Sequence, residues 1–109
     1  MRAIRHVNDV DLAEAFTSYV ERRLRFGLGR FGGRVGKITV RIGAGGPGER
    51  QCRISTDVLP FGHVAVEETD PDLFAAIDRA TGRIGHLFGR ELERVRDARI
   101  GRESVRFAA

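Results

Sequence analysis

The chain has 109 residues, 41% of them hydrophobic, with 19 basic and 15 acidic side chains and a formal net charge of +4. This composition is typical of one folded domain and excludes a disordered chain. No apolar run is long enough to span a membrane or to act as a secretion signal, and the single cysteine cannot form an internal disulfide. We therefore expect a soluble protein of the reducing cytoplasm.

The first predicted elements are a short strand and an amphipathic helix. Residues 3–7 are compatible with a strand. Asp11 and Glu14 have the spacing of a capping box, and apolar residues then recur every three or four positions. This pattern predicts a helix over about residues 12–25, which frays where glycines follow.

Three further strands are predicted in close succession. Residues 35–42 and 50–59 alternate strictly between apolar and polar side chains, which predicts two half-buried strands. The glycine-rich residues 43–48 between them predict a turn or loop. A Pro-Phe-Gly turn at residues 60–62 leads into a last strand at residues 63–68, so the three strands form an antiparallel meander.

A long helix is predicted over residues 70–97. Asp70 suits its N-cap and Pro71 its first position, where no backbone donor is lost. Acidic residues cluster at 67–72, before the helix, so we expect its surface to be polarised. At about 100° per residue, apolar side chains occupy one side of the helix and basic side chains the other. This exposed face, the basic ridge, consists of Arg79, Arg83, His86, Arg90 and Arg94.

A second basic run lies earlier in the chain. Between Arg22 and Gly48 there are seven bases and no acid, and those on the predicted first helix lie opposite its apolar stripe. Clustered arginines suit phosphate, which a guanidinium can bind with two hydrogen bonds. We therefore predict RNA as the partner. The candidate RNA-binding residues are Arg22, Arg23, Arg25, Arg30 and Lys37, together with the basic ridge.

The order strand, helix, three strands, helix predicts an α+β two-layer sandwich. Antiparallel sheets commonly carry helices on one face and water on the other. We expect an antiparallel-rich four-stranded sheet with both helices on one face, similar to a double-stranded-RNA-binding domain. Residues 1–97 would form the single domain, and residues 98–109 a basic, flexible tail.

Several short motifs resemble one known family. Residues 72–78, Asp-Leu-Phe-Ala-Ala-Ile-Asp, followed by Arg83 and Arg90, resemble the second-helix signature of the ribosome hibernation promoting factor and ribosome-associated inhibitor family. Residues 19–24 look like part of that family's first helix, and residues 60–62 like its turn between the last two strands. The resemblance covers nearly the whole chain, which looks like the short type without a dimerisation domain.

The resemblance implies a role in translation. Proteins of this family bind the small ribosomal subunit at the decoding region of its 16S rRNA, exclude mRNA and tRNA, and hold 70S ribosomes inactive when growth stops. Arg23, Arg83, His86 and Arg90 match basic positions of the family's helices, whereas Phe26 stands where the family usually has a second base. No cofactor, metal or small-molecule substrate is implied.

Other functions stay open. The same charge pattern suits a general structured-RNA-binding module, or a ribosome-associated adaptor that does not silence translation, because all of them bind phosphate. An enzyme would need Cys52 as a nucleophile beside a base such as His6, His63 or His86. Cys52 falls on the apolar side of its predicted strand and no P-loop is present, so we expect no catalysis.

Three glycines lie inside the long predicted helix. Gly82, Gly85 and Gly89 share one flank of it, and a bare flank allows close backbone approach. This pattern predicts that the first helix or the rRNA backbone comes near the glycines. Chance placement in a glycine-rich sequence is the alternative.

Overall fold

The elements follow the predicted order β-α-β-β-β-α. A computed structural model describes the backbone of residues 4–8 and 12–108, and the side chains of residues 4–8 and 12–98. The elements are β1 (Ile4–Asn8), α1 (Glu14–Leu28), a 3₁₀ helix (Gly29–Arg34), β2 (Val35–Ala44), β3 (Arg50–Val58), β4 (Gly62–Asp70) and α2 (Leu73–Ala108).

The four strands form one mixed sheet in the order β1-β2-β3-β4. β1 and β2 are parallel, because α1 connects them as a crossover and returns the chain to the same end of the sheet. β2, β3 and β4 are joined by tight turns and pair antiparallel. The predicted antiparallel-rich sheet is therefore confirmed, with its one parallel pair at the β1 edge.

Alternation along the strands divides the sheet into a buried and a wet face. Ile38 and Val40 of β2 are fully buried, whereas Lys37 and Arg41, which flank them along the strand, are exposed. The buried strand residues form a single cluster with residues of both helices, so α1 and α2 cover the same face of the sheet. The helix residues at the centre of this core are Val20, Leu24, Leu28, Ile77, Ile84 and Phe88.

The first helix differs from its prediction at both ends. It begins at Glu14, with Ala13 in the N-cap position and no side-chain cap, while Asp11 of the expected capping box lies outside the described residues. It continues to Leu28 and then tightens into the 3₁₀ helix. Gly32 takes a positive φ of 54° in this segment, a conformation that glycine adopts without a steric penalty, and β2 begins shortly after it.

The second helix is capped by Asp72 rather than by Asp70. The backbone N–H of Phe74 donates to Asp72 Oδ1 at 3.0 Å, as expected for a residue that directly precedes the first helical turn. Asp70 is the last residue of β4, and its carboxylate accepts from the N–H of Asp72 at 2.8 Å. This hydrogen bond holds the pKa of Asp70 below its ordinary value. Asp70 thus binds the backbone of Asp72, and Asp72 in turn caps the helix.

The second helix is also longer than predicted, because its backbone stays helical to Ala108 rather than ending near Asp97. The arginines expected in a basic tail have side chains outside the described residues. The flexible tail at residues 98–109 therefore stays a prediction.

The two helices run side by side in the same direction and touch at a glycine pair. The Phe16 and Phe74 ring centroids lie 4.7 Å apart near the helix starts, and those of Phe31 and Phe88 lie 4.6 Å apart further along. Between these contacts, a Cβ added to Gly85 would lie 3.2 Å from the carbonyl oxygen of Gly27. The predicted close approach of the first helix is therefore found at Gly85.

The other two glycines of the flank have different surroundings. A Cβ at Gly89 would make ordinary contact with the Phe31 ring at 3.6 Å, and one at Gly82 would meet nothing within 4 Å. Of the three glycines, only Gly85 lies so close to a neighbouring backbone that a Cβ would force it to shift.

Replacing Gly85 by Leu should lower the free energy of unfolding by about 1–3 kcal/mol, because the new side chain forces the two backbones apart. Gly82→Leu is the matched control. It should preserve stability or raise it by up to about 1 kcal/mol, since leucine favours helix over glycine and a Cβ at this position meets nothing within 4 Å. Urea unfolding measures both, and a Gly85→Leu protein as stable as the control would contradict the backbone contact.

Candidate nucleic-acid interface

The basic ridge lies on the solvent side of α2, and every one of its five residues is exposed. The core residues of the same helix face the sheet, so amphipathic spacing and burial agree along it. The side chains of the ridge are therefore accessible to a partner. They differ in whether they form an ion pair with an acidic side chain of the same protein.

Acidic residues of β4 bind two of the ridge arginines. Glu68 Oε1 lies 2.7 Å from Arg83 Nη1, and its other oxygen lies 3.6 Å from Arg79 Nε. Arg79 also lies 3.1 Å from Asp70. The sequence predicts a polarised surface, with these acids at the start of the helix and the bases along its exposed face. The acids do lie beside the start of α2, but they pair with Arg79 and Arg83. Glu68 and Asp70 belong to a strand that packs beside α2, which spacing along one helix does not reveal.

Arg94 is bound by an acid of its own helix. It donates to Glu91 through two nitrogens, the longer bond being 3.3 Å from Nη2 to Oε2. These contacts lower the pKa of Glu91, helped by a hydrogen bond from the backbone N–H of His63, and raise the pKa of Arg94. Within the described part of the chain, His86 and Arg90 are the ridge residues with no ion pair.

The basic residues of α1 likewise differ in whether an acidic side chain lies close to them. Arg23 Nε lies 3.6 Å from Asp78 Oδ1, and the Tyr19 hydroxyl donates to the same carboxylate oxygen. Arg25 lies 3.9 Å from Glu21. Tyr19 is partly buried between the helices, and the hydrogen bond to Asp78 raises the pKa of its hydroxyl. Asp78 thus joins the helices through Tyr19 and lies near Arg23 without a hydrogen bond to its Nε.

Two further arginines of this region contact aromatic rings instead of acids. The Arg22 guanidinium carbon lies 5.7 Å from the Tyr19 ring centroid, and that of Arg30, in the 3₁₀ helix, lies 4.7 Å from the Phe31 ring centroid. Such contacts hold the side chain while its charge stays available. Of the candidate residues on α1, the 3₁₀ helix and α2, four basic side chains have no ion pair among the described residues, and we call them the free cation set: Arg22, Arg30, His86 and Arg90.

A shallow groove of about 310 Å³ lies between the two helices on their solvent side. Arg23 and Arg30 line it from the α1 side, and Gly82 and His86 from the α2 side. Phe26 also lines it, with 87% of its surface exposed. The sequence marked Phe26 as a departure from the family's basic pattern, and its distance from the apolar stripe was the signal for its exposure.

Lys37 does not join these residues. It lies on the wet face of β2, on the side of the sheet away from the helices, with Arg41 two positions along the strand. The other candidate residues lie on the helical layer or in the 3₁₀ helix that follows α1. The structure therefore separates Lys37 from the proposed interface.

The residues considered for catalysis do not form a site. Cys52 is fully buried on β3, and burial raises the pKa of its thiol to about 12. The thiolate that would act as nucleophile is therefore scarce near neutral pH. His6 contacts Glu21 and His63 contacts Asp57, each at 3.0 Å. Cys52 serves as a core residue, as its strand position predicted.

The fold and the exposed bases define a two-layer α+β protein with a basic outer helical face. The sequence profile of the sigma 54 modulation protein / S30EA ribosomal protein family matches residues 4–96. The chain therefore belongs to this family, as the motifs of the second helix indicated.

Solved structures agree with that assignment. The N-terminal domain of Thermus thermophilus Protein Y is 31% identical in sequence, with a TM-score of 0.68 over 79% of this chain and 93% of that one. A ribosomal subunit interface protein from Coxiella burnetii has the same fold, with a TM-score of 0.67 at 12% identity over 80% of this chain and 93% of that one. A comparison with curated proteins finds no match. In the described part of the chain, no helix is long and apolar enough to cross a membrane.

The Tyr19 hydrogen bond gives a pH-dependent test of the helix junction. The folded-state pKa of Tyr19 lies above the unfolded value of about 10, so the bond contributes fully below that pH and is lost as pH rises through the folded-state pKa. Asp78→Ala should return the titration of Tyr19, the single tyrosine, towards about pH 10. Absorbance titration of the phenol measures it.

Asp57→Ala is the matched control, because it removes a carboxylate that binds His63 rather than Tyr19. Its phenol titration should equal that of the wild type. The same titration curve for all three proteins would show that Asp78 does not hold Tyr19 in solution.

Proposed function

We propose that this protein is a ribosome-associated hibernation factor that binds 16S rRNA at the decoding region of the small subunit and excludes mRNA and tRNA. The observation that carries the proposal is the free cation set, four exposed basic side chains of α1, the 3₁₀ helix and α2 that have no ion pair among the described residues. Membership in the family and the likeness to Protein Y support a ribosomal partner. A ribosomal partner in turn implies a location in the cytoplasm.

The proposed binding is electrostatic and depends on shape. Folded RNA presents phosphates and 2′-hydroxyls, and arginine binds phosphate through paired hydrogen bonds. Arg79, Arg83 and Arg94 already bind carboxylates, so their charge is partly neutralised in the free protein. We therefore assign the primary phosphate contacts to the free cation set, with Arg23 beside it and the ion-paired arginines in a secondary role.

The helical layer is the better candidate face for chemical and geometric reasons. Its basic residues lie on α1, the 3₁₀ helix and α2, which pack on one core, and Arg23, Arg30 and His86 border a single groove. A rigid array of charges loses little conformational entropy on binding. Inhibition then needs no chemistry, because the folded body occupies space that mRNA and tRNA would need.

Reversing two members of the free cation set tests this proposal. Arg22→Glu with Arg90→Glu should weaken binding to purified small ribosomal subunits about a hundredfold, taking each lost charged contact as about 1.4 kcal/mol. It should also reduce the slope of log affinity against log salt by about 2, one unit for each lost phosphate contact. Filter binding over a salt series measures both quantities.

The matched control is Arg5→Glu with Arg41→Glu, which makes the same change in net charge on the wet face of the sheet. Arg5 and Arg41 are exposed on neighbouring strands there. The control should bind with nearly wild-type affinity. Equal losses in the two double variants would show that only net charge matters and would remove the helical face as the interface.

A further inference from the structure

We propose that the groove between α1 and α2 binds one unpaired nucleotide of RNA, with its base stacked on Phe26 and its phosphate held by Arg30 and His86. The proposal rests on the function proposed above and specifies what this face recognises. It adds a stacking contact with a nucleobase to the phosphate contacts that the free cation set supplies.

Phe26 is the most exposed large hydrophobic residue in the described part of the chain, at 87% against 45% for Phe61 and 43% for Phe74. Phe74 packs against two other rings, with centroids 4.7 Å away at Phe16 and 5.2 Å away at Tyr19. Among the described residues, Phe26 has no such ring partner. Its ring is therefore open to a planar ligand.

The groove beside Phe26 has the charge that a nucleotide needs. Arg30 and His86 line it from the two helices, and neither has an acidic partner in the described structure. Arg23 also lines it, and its buried Nε has no hydrogen-bond acceptor among the described residues. An aromatic ring bordered by three basic side chains matches a base joined to a phosphate.

The glycines shape the floor of the groove. The Gly27 and Gly85 backbones meet and close it below, while a side chain at Gly82 would meet nothing within 4 Å, so the floor there is open to a ligand. Its volume of about 310 Å³ lies at the lower end of the range for small-molecule sites, about 300–1,000 Å³. That space suits one nucleotide rather than a helical segment.

An unpaired nucleotide fits better than a duplex. Bases inside an RNA helix are stacked on their neighbours, and side chains reach mainly phosphates and 2′-hydroxyls. A base in a loop or bulge can turn outward and stack on an aromatic ring. Phe26 would gain nothing from a duplex, whereas the free cation set would bind either form.

Chemical probing of purified small ribosomal subunits tests the site. Subunits are treated with dimethyl sulfate and with a carbodiimide, with saturating wild-type protein or with Phe26→Leu, Phe26→Trp or Gly82→Leu. Leucine keeps the apolar character of Phe26 but cannot stack, tryptophan stacks, and a leucine at position 82 fills the groove. Because position 26 is exposed and position 82 has open space, each variant should fold, which urea unfolding checks.

We expect the wild type and Phe26→Trp to protect one unpaired base that stays reactive with Phe26→Leu and Gly82→Leu. The affinity of these last two variants for subunits should fall about tenfold, the usual scale for one base stacked on an aromatic ring. Base protection and affinity equal to wild type in Phe26→Leu would overturn the nucleotide site and leave the proposed function standing.

Two other outcomes have a defined meaning. If Phe26→Leu binds subunits more weakly but protects the same bases as wild type, Phe26 contacts a ribosomal protein and the nucleotide site is wrong. If the wild-type protein itself does not bind subunits, the proposed function fails and the nucleotide site fails with it. The two failures are therefore distinguishable.

Discussion

The contact between the Gly27 and Gly85 backbones is the constraint on which the functional face depends. A Cβ at position 85 would lie 3.2 Å from the Gly27 carbonyl oxygen, so any side chain there would push the two backbones a few tenths of an ångström apart. The close pairing places bases from both helices around one groove and lets Asp78 contact residues of α1. If the helices lay further apart, the basic residues of α1 and α2 would no longer border a common groove.

Ion pairs with acidic residues determine which basic side chains remain available to bind RNA. Glu68 and Asp70 bind the ridge on the β4 side, Glu91 binds Arg94, and Asp78 lies near Arg23 at the helix junction. Exposed ion pairs of this kind add little to stability, but they orient long side chains and reduce their net charge. On the helical layer, Arg30 and His86 border the groove with no acidic partner in the described structure, and this is where the proposed RNA contacts lie. Net charge alone would have given no such location.

The sequence predicted the fold well because its signals are local. Alternation placed Ile38, Val40 and Cys52 on the buried side of their strands, and helical spacing placed the ridge in solvent. Contacts between elements could not be predicted in this way. The pairing of Glu68 with Arg83 needs a strand laid beside a helix, and the placement of Lys37 on the sheet face away from the helices needs the arrangement of the two layers. The glycine flank predicted an approach, but only the structure separates tight Gly85 from open Gly82.

Occupation of the decoding region by the helical face is the central claim, and competition tests it most directly. The purified protein would be sedimented through sucrose gradients with small subunits and with 70S ribosomes, with and without mRNA and tRNA. The account predicts that the protein co-sediments with both particles at modest salt and is displaced when mRNA and tRNA are added. Co-sedimentation unchanged by those competitors would place the protein on another ribosomal surface and contradict the account.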